Sequence, residues 1–129
     1  AGIIDGLDLG YNARASYITR CIHEIQFALK VYKYNSNQIL SMAGIGDLIL
    51  TCSSNKSRNY NFGFKLIKNK NTTKKKQTIE GYNSSINFQK NSKLNYKQMP
   101  ILKSIIKIIN GSAANKEIKK LLERKFKFE

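Results

Sequence analysis

Acidic residues are scarce in this chain of 129 residues: 8 Asp and Glu stand against 23 Lys and Arg, which leaves a net charge of +15. A field of that sign repels cations and attracts anions, whether nucleic acid, acidic lipid or small phosphorylated molecules. It has a plainer reading as well, because Lys, Asn and Ile are abundant together, as they are in products of A+T-rich genes. Metal-ligating residues are equally sparse. There is one histidine, His23, and the two cysteines, Cys21 and Cys52, are not at the close spacing of a CxxC pair. A zinc site needs three or four ligands, so neither cysteine nor the histidine points to one, and two unpaired thiols fit a reducing, cytosolic compartment. No apolar run approaches the roughly 18 residues that cross a bilayer, and no signal-peptide pattern opens the chain. A third glycine is missing from Gly44-Ile45-Gly46, since Ile49 stands where a dinucleotide fingerprint needs it, and no strand pattern precedes.

What is present suits one compact domain, with 41% hydrophobic residues to build a core. The chain opens on Ala1 inside a Gly-rich segment and reads as a piece of a longer polypeptide. Gly2, Gly6 and Gly10 are four apart, which either lines a helix face with no side chains or makes a Gly-rich turn. From Asn12, a good N-cap, the recurrence of Ala15, Ile18, Ile22, Ile25 and Leu29 predicts a long packed helix. Asn35 and Gln38 form a variant capping box for a short helix ending near Gly44. After Asn59 the alternation Tyr60, Phe62, Phe64, Leu66 argues for a strand, but Ser57 is a plausible N-cap for a helix opening at Arg58, and helix is preferred. Residues 68 to 76 read as an exposed Lys-rich loop, followed by a weaker helix carrying Ile86 and Phe88. Pro100 at a first helical position, Ile101 to Ile109 and the stop at Gly111 predict a buried helix. Ile118, Leu121 and Leu122 predict a last amphipathic helix before a charged tail. The sum is all-α, a multi-helical bundle over residues 1–129.

One stretch has the look of a site. Ala43 to Cys52 is small and apolar around the single acid Asp47, and Ser57-Arg58-Asn59 follows closely. Taken alone, Asp47 reads equally well as a turn residue, Arg58 as a surface arginine, and Glu80 as a carboxylate favoured by a helix start.

The order of motifs changes those readings. Ala1-Gly2-Ile3, Asp5-Gly6-Leu7, Gly10 to Ala15, Ile18-Thr19-Arg20, Gly46-Asp47-Leu48, Thr51-Cys52, Ser57-Arg58-Asn59, Glu80-Gly81 and Met99-Pro100-Ile101 together resemble the C-terminal domain of bacterial NAD(P)-dependent glycerol-3-phosphate dehydrogenases. The resemblance covers nearly the whole chain. It implies the reduction of dihydroxyacetone phosphate to sn-glycerol 3-phosphate for phospholipid synthesis, with NAD or NADP as cofactor. It also implies the all-helical fold of the 6-phosphogluconate-dehydrogenase-like C-terminal domains, closing a cleft against an N-terminal Rossmann domain that this chain does not contain. Asp47, Ser57, Arg58 and Asn59 match substrate-binding positions of that family, and Arg58, Thr78 and Glu80 match cofactor contacts. The family's general acid/base lysine falls before Ala1.

Those residue types suit the chemistry. Hydride addition to a ketone builds negative charge on oxygen, which calls for a proton donor or oxyanion stabiliser. Asp47 would orient that lysine or a substrate hydroxyl. The planar fork of Arg58 suits a phosphate dianion, at about 1.5–3 kcal/mol per charge-assisted bond, with Ser57 and Asn59 adding neutral hydrogen bonds. Thr78 departs from the family's usual aliphatic residue, and the Lys-rich loop is shorter. The partners implied are a small phosphorylated substrate and the Rossmann domain, with a homodimer left open and no nucleic acid or membrane span. The readings in competition are a basic nucleic-acid-binding domain and an inactive relic of the enzyme, the first of which lacks any recognised motif.

Overall fold

The computed structural model describes residues 1–68, 80–91 and 98–124, except for the side chains of residues 80–82, 88, 89 and 91. Helices α1 (Gly2–Gly6), α2 (Gly10–Val31), α3 (Met42–Ser53), α4 (Arg58–Lys68), α5 (Glu80–Asn91), α6 (Pro100–Ile109) and α7 (Ala114–Glu123) follow one another, with a 3-10 turn at Ser36–Leu40 between α2 and α3. Among the described residues there is no strand, and the fold is all-α as the periodicity predicts. No helix among them is long and apolar enough to cross a membrane.

The core joins α1, α2, α6 and α7 through Ile4, Tyr17, Ile101, Ile108, Ile118 and Leu121, all buried. Each isoleucine placed there contributes about 1.5–3 kcal/mol by leaving water. Pro100 sits at the start of α6, where its missing N–H costs nothing. At the other end Gly111 takes φ +102, its N–H donating to the Ile108 carbonyl and that of Ser112 to the Lys107 carbonyl, at 3.0 and 2.9 Å. This is a Schellman stop, and only glycine enters that backbone region without strain.

Glycine also decides how α1 meets α4. A Cβ on Gly2 would collide with the backbone carbonyl of Tyr60, and one on Gly63 would lie 3.0 Å from the Ile3 nitrogen. The two helices therefore touch backbone to backbone, which is the bare-face reading of Gly2 and Gly6. Gly10 plays no part in that seam; it has φ +84 and opens α2.

The structure corrects three local expectations. α2 starts at Gly10, with Leu9 at the cap position and no side-chain cap, so Asn12 lies inside the first turn. Its buried residues are Tyr17 and Glu24, whereas Ile18, Ile22, Ile25 and Leu29 are only half-buried and Ala15 is exposed. The packed face is thus rotated toward the Ala13, Tyr17 and Cys21 row, since those are the side chains that meet the core cluster. Asn35 caps a 3-10 turn by accepting from the Asn37 N–H at 3.0 Å, in place of a capping box. That turn ends at Leu40, and Ser41 then starts α3 by accepting from the Gly44 N–H at 3.1 Å. The stretch around Asp47 is therefore itself helical.

The alternation after Asn59 belongs to a helix, as the Ser57 cap indicates. Tertiary contact overrides the period-two pattern there, because Gly63 must face α1. The Lys-rich loop lies outside the described residues apart from Lys68, which ends α4, and so does the charged tail beyond residue 124.

Candidate functional site

The link from α3 to α4 builds the site from short-range hydrogen bonds. Ser54 Oγ accepts from the Lys56 N–H at 3.1 Å, and the Ser57 N–H donates to the Ser54 carbonyl at 3.1 Å. The Asn61 side-chain amide donates to the Asn55 carbonyl. Ser57 Oγ then accepts from the Tyr60 N–H at 3.2 Å, capping α4. A serine in this position keeps its O–H proton available to donate.

This turn forms one wall of a cavity of about 250 Å³. Ser57 and Asn59 line it with Thr51 and Cys52 from the end of α3, Tyr60 from α4, and the glycine seam of α1. Ser85 of α5 and the α6 side chains Ile105 and Ile109 close it. The volume falls below the roughly 300–1,000 Å³ of pockets for drug-sized ligands, so the space suits a small metabolite. Its polar side chains are neutral among the described residues: hydroxyls, one carboxamide and one thiol.

Four of the six residues singled out by sequence thus divide in two. Ser57 and Asn59 meet at the cavity, with Thr51 and Cys52 of the same motif beside them. Asp47, midway along α3, and Arg58, the first residue of α4, are exposed and do not line it. Glu80 is the first residue of α5, but its side chain is not among those described, and Thr78 lies outside the described residues altogether.

Three residues to which the sequence reading gave no role tie the cavity wall to α1 and α2. The Tyr60 O–H donates to Asp5 Oδ2 at 2.6 Å, and Arg14 Nη1 donates to the same oxygen at 2.6 Å. Arg14 also lies 5.0 Å from the Tyr11 ring centroid. The hydrogen bond to Asp5 is the main reason the Tyr60 phenol is pushed above its ordinary value, so it remains a donor at neutral pH. Only the tyrosine's place next to Ser57-Arg58-Asn59 could have signalled this group from sequence. Its partner is 55 positions away.

Burial raises the Cys52 thiol and pushes that of Cys21 up to about 12, so both stay protonated at neutral pH and neither acts as a thiolate. Both are free. Among the described residues no group of three or more His, Cys, Asp or Glu could hold a metal ion. A larger cavity of about 480 Å³ between α2 and α6, lined by Ile25, Leu29 and Leu102 among others, is almost wholly apolar. The carboxylate in its wall, Glu24, is committed to the N–H groups of Ile101 and Leu102 at 2.5 and 3.2 Å, where it caps α6 from outside.

With that geometry in view, the chain matches the family model described as NAD-dependent glycerol-3-phosphate dehydrogenase C-terminus over residues 1–120. Curated relatives named glycerol-3-phosphate dehydrogenase (NAD(P)+) include one from Haemophilus ducreyi, 37% identical over 135 residues, and one from Shewanella frigidimarina, 34% identical over 134. Another, from Actinobacillus pleuropneumoniae, is 36% identical over 134 residues. Each alignment covers 100% of this chain and 40% of the relative, so the chain spans about two fifths of the relatives' length. No solved structure matches the chain significantly. None of these comparisons supports nucleic-acid binding.

Proposed function

The chain belongs to the NAD-dependent glycerol-3-phosphate dehydrogenase C-terminus family, and from that membership we propose that it is the substrate-binding part of an oxidoreductase interconverting dihydroxyacetone phosphate and sn-glycerol 3-phosphate. The observation that carries the reading is the meeting of Ser57 and Asn59 with Thr51 and Cys52 around one small cavity. In the proposed function these residues donate and accept hydrogen bonds to a short polyol chain, while Arg58, on the same turn, supplies the positive fork for the phosphate. Asp47 orients the substrate hydroxyl or the lysine that would protonate the carbonyl oxygen. Ser57, Arg58 and Asn59 bind the substrate, and Arg58, Thr78 and Glu80 contact the cofactor.

When bound, NADH or NADPH would supply the hydride for reduction of the ketone, and NAD+ or NADP+ would accept it in the reverse direction. Among the described residues there is no βαβ unit to hold a dinucleotide, so a Rossmann domain is the partner that holds it and this chain adds contacts to it. Exposed Arg58 fits such a contact, because a guanidinium pairs as well with a dinucleotide phosphate as with a substrate phosphate. The role in glycerophospholipid synthesis and the cytoplasmic setting belong to the same proposal.

The test joins this chain to the N-terminal portion of the Haemophilus ducreyi relative and follows NAD(P)H oxidation with dihydroxyacetone phosphate. Activity is expected for the joined protein, and Arg58→Ala should raise KM at least tenfold, the loss of roughly one charge-assisted pair. A joined protein that folds but turns over no substrate would refute the reading, and unchanged KM in Arg58→Ala would refute the assignment of Arg58.

A further inference from the structure

We propose that Tyr60 is a positioning residue of this site, holding the first turn of α4, and with it Ser57 and Asn59, in the geometry that receives the ligand. The inference rests on the function proposed above and concerns a residue to which that function assigns nothing. Tyr60 is attached at three points. Its N–H donates to Ser57 Oγ at 3.2 Å, which fixes the serine hydroxyl. Its O–H donates to Asp5 Oδ2 at 2.6 Å, which ties α4 to α1. Its carbonyl occupies the space left by the absent side chain of Gly2, so the two backbones cannot slide past one another.

Asp5 is in turn held by Arg14 of α2 at 2.6 Å, with both side chains less than one fifth exposed. Three helices are therefore linked through a single carboxylate oxygen. The Tyr60 ring lies parallel to Phe64, 6.4 Å between centroids at 12°, and also lines the cavity. A purely structural tyrosine could make the bond to Asp5 from inside the core, whereas this one borders the space the ligand would fill. The pairing with Arg14 has an electrostatic consequence too. It cancels the charge of Asp5 immediately behind the cavity, where an unpaired carboxylate would repel a phosphate.

The consequence is a specific split of kinetic effects. Removing the phenol oxygen leaves the ring and the glycine seam in place, so α4 keeps its fold and its seat on α1 and loses only the bond by which Asp5 holds the tyrosine side chain at the cavity. Binding should suffer, while the lysine and nicotinamide supplied from outside this chain should work as before once substrate is bound. In the joined dehydrogenase, Tyr60→Phe is expected to raise KM for dihydroxyacetone phosphate about fivefold with kcat within about twofold, the size of effect one lost hydrogen bond produces. Asp5→Asn weakens the same link from the other side while also removing the counter-charge of Arg14, and the double variant should lose less than the sum of the two single variants, because both act on the bond between Tyr60 and Asp5. Thermal melting of each variant accompanies the kinetics.

Unchanged KM in both single variants, additive losses in the double variant, or a fall in kcat with unchanged KM would each overturn the inference. If Tyr60→Phe does not fold, Asp5→Asn decides by the same criteria. Failure of the functional reading looks different: the joined wild-type protein would turn over no dihydroxyacetone phosphate, and both proposals would fall. A wild-type protein that is active and weakened by Arg58→Ala, yet indifferent to Tyr60→Phe and Asp5→Asn, would overturn the inference about Tyr60 alone.

Discussion

Asp5 and Asp47 sit in similar company in the sequence, each an acid among glycine and aliphatic residues, and the fold treats them oppositely. Asp5 lies on the short helix α1, 17% exposed, with one oxygen shared between the Arg14 guanidinium and the Tyr60 phenol. Asp47 lies midway along α3 and is exposed, and no ion pair among the described residues involves it. Their helices differ in the same way. α1 is pressed backbone to backbone against α4, while α3 buries no residue and leaves Met42 94% exposed. The difference separates an acid that ties helices together behind the cavity from one that is open to solvent.

The contrast breaks most sharply at the glycines. Gly2→Ala drives a Cβ into the Tyr60 carbonyl, and since a backbone atom cannot rotate away, denaturant titration should show a loss of about 3 kcal/mol. A loss below about 1 kcal/mol would mean that α1 and α4 are not in backbone contact. Next in size are the two acids themselves. Asp5→Ala leaves a guanidinium and a phenol without their acceptor in partly buried positions and should cost about 2 kcal/mol, whereas Asp47→Ala should stay within about 0.5 kcal/mol in stability while weakening substrate binding. Equal stability losses would erase the distinction between them.

Glu24 extends the comparison to an acid buried more deeply than either. Burial raises its carboxyl, and the N–H bonds from Ile101 and Leu102 offset only part of that. The folded chain therefore holds this proton more tightly than the unfolded chain, whose reference value is 4.5. The stabilisation from Glu24 is full below that value and is lost as pH rises through the raised folded value. Since glutamine does not titrate, the stability of the wild type relative to Glu24→Gln should fall as pH rises across that window, which denaturant titrations at a series of pH values would follow. A flat difference would contradict the assignment. The effect of opposite sign is expected at Gly46, where a Cβ would meet nothing within 4 Å. There Gly46→Ala should raise stability by about 0.5–1 kcal/mol through helix propensity, opposite in sign to Gly2→Ala.

Local features of the fold were legible. Pro100 and Gly111 bracket α6 and Ser57 caps α4, because in each case the physical cause lies within a few residues of its effect, whereas the spacing of Gly2 and Gly6 left a bare face and a turn equally open and the contact with α4 decides between them. The rotated face of α2 was not legible, since a stripe of Ile and Leu marks hydrophobicity without saying which neighbour arrives, and here Tyr17 and Cys21 meet the core. Ser41 was passed over as a cap because Asn35 gives a similar signal just before it. Asp5 with Tyr60, and Glu24 with Ile101, are bonded across 55 and 77 positions, distances over which no periodicity reports. At the site, the motif order pointed to Ser57 and Asn59, and both line the cavity. Asp47 and Arg58 rest on the family resemblance, because an exposed side chain shows no partner until a ligand supplies one.

The central claim is that the cavity bordered by α3, α4 and α1 receives a phosphorylated three-carbon polyol. Its most direct test is titration of the isotopically labelled chain with sn-glycerol 3-phosphate, followed by amide chemical shifts. The account predicts saturable shifts concentrated at Thr51, Cys52, Ser57 and Asn59 and weakened in Arg58→Ala. Shifts that spare these four amides would contradict it.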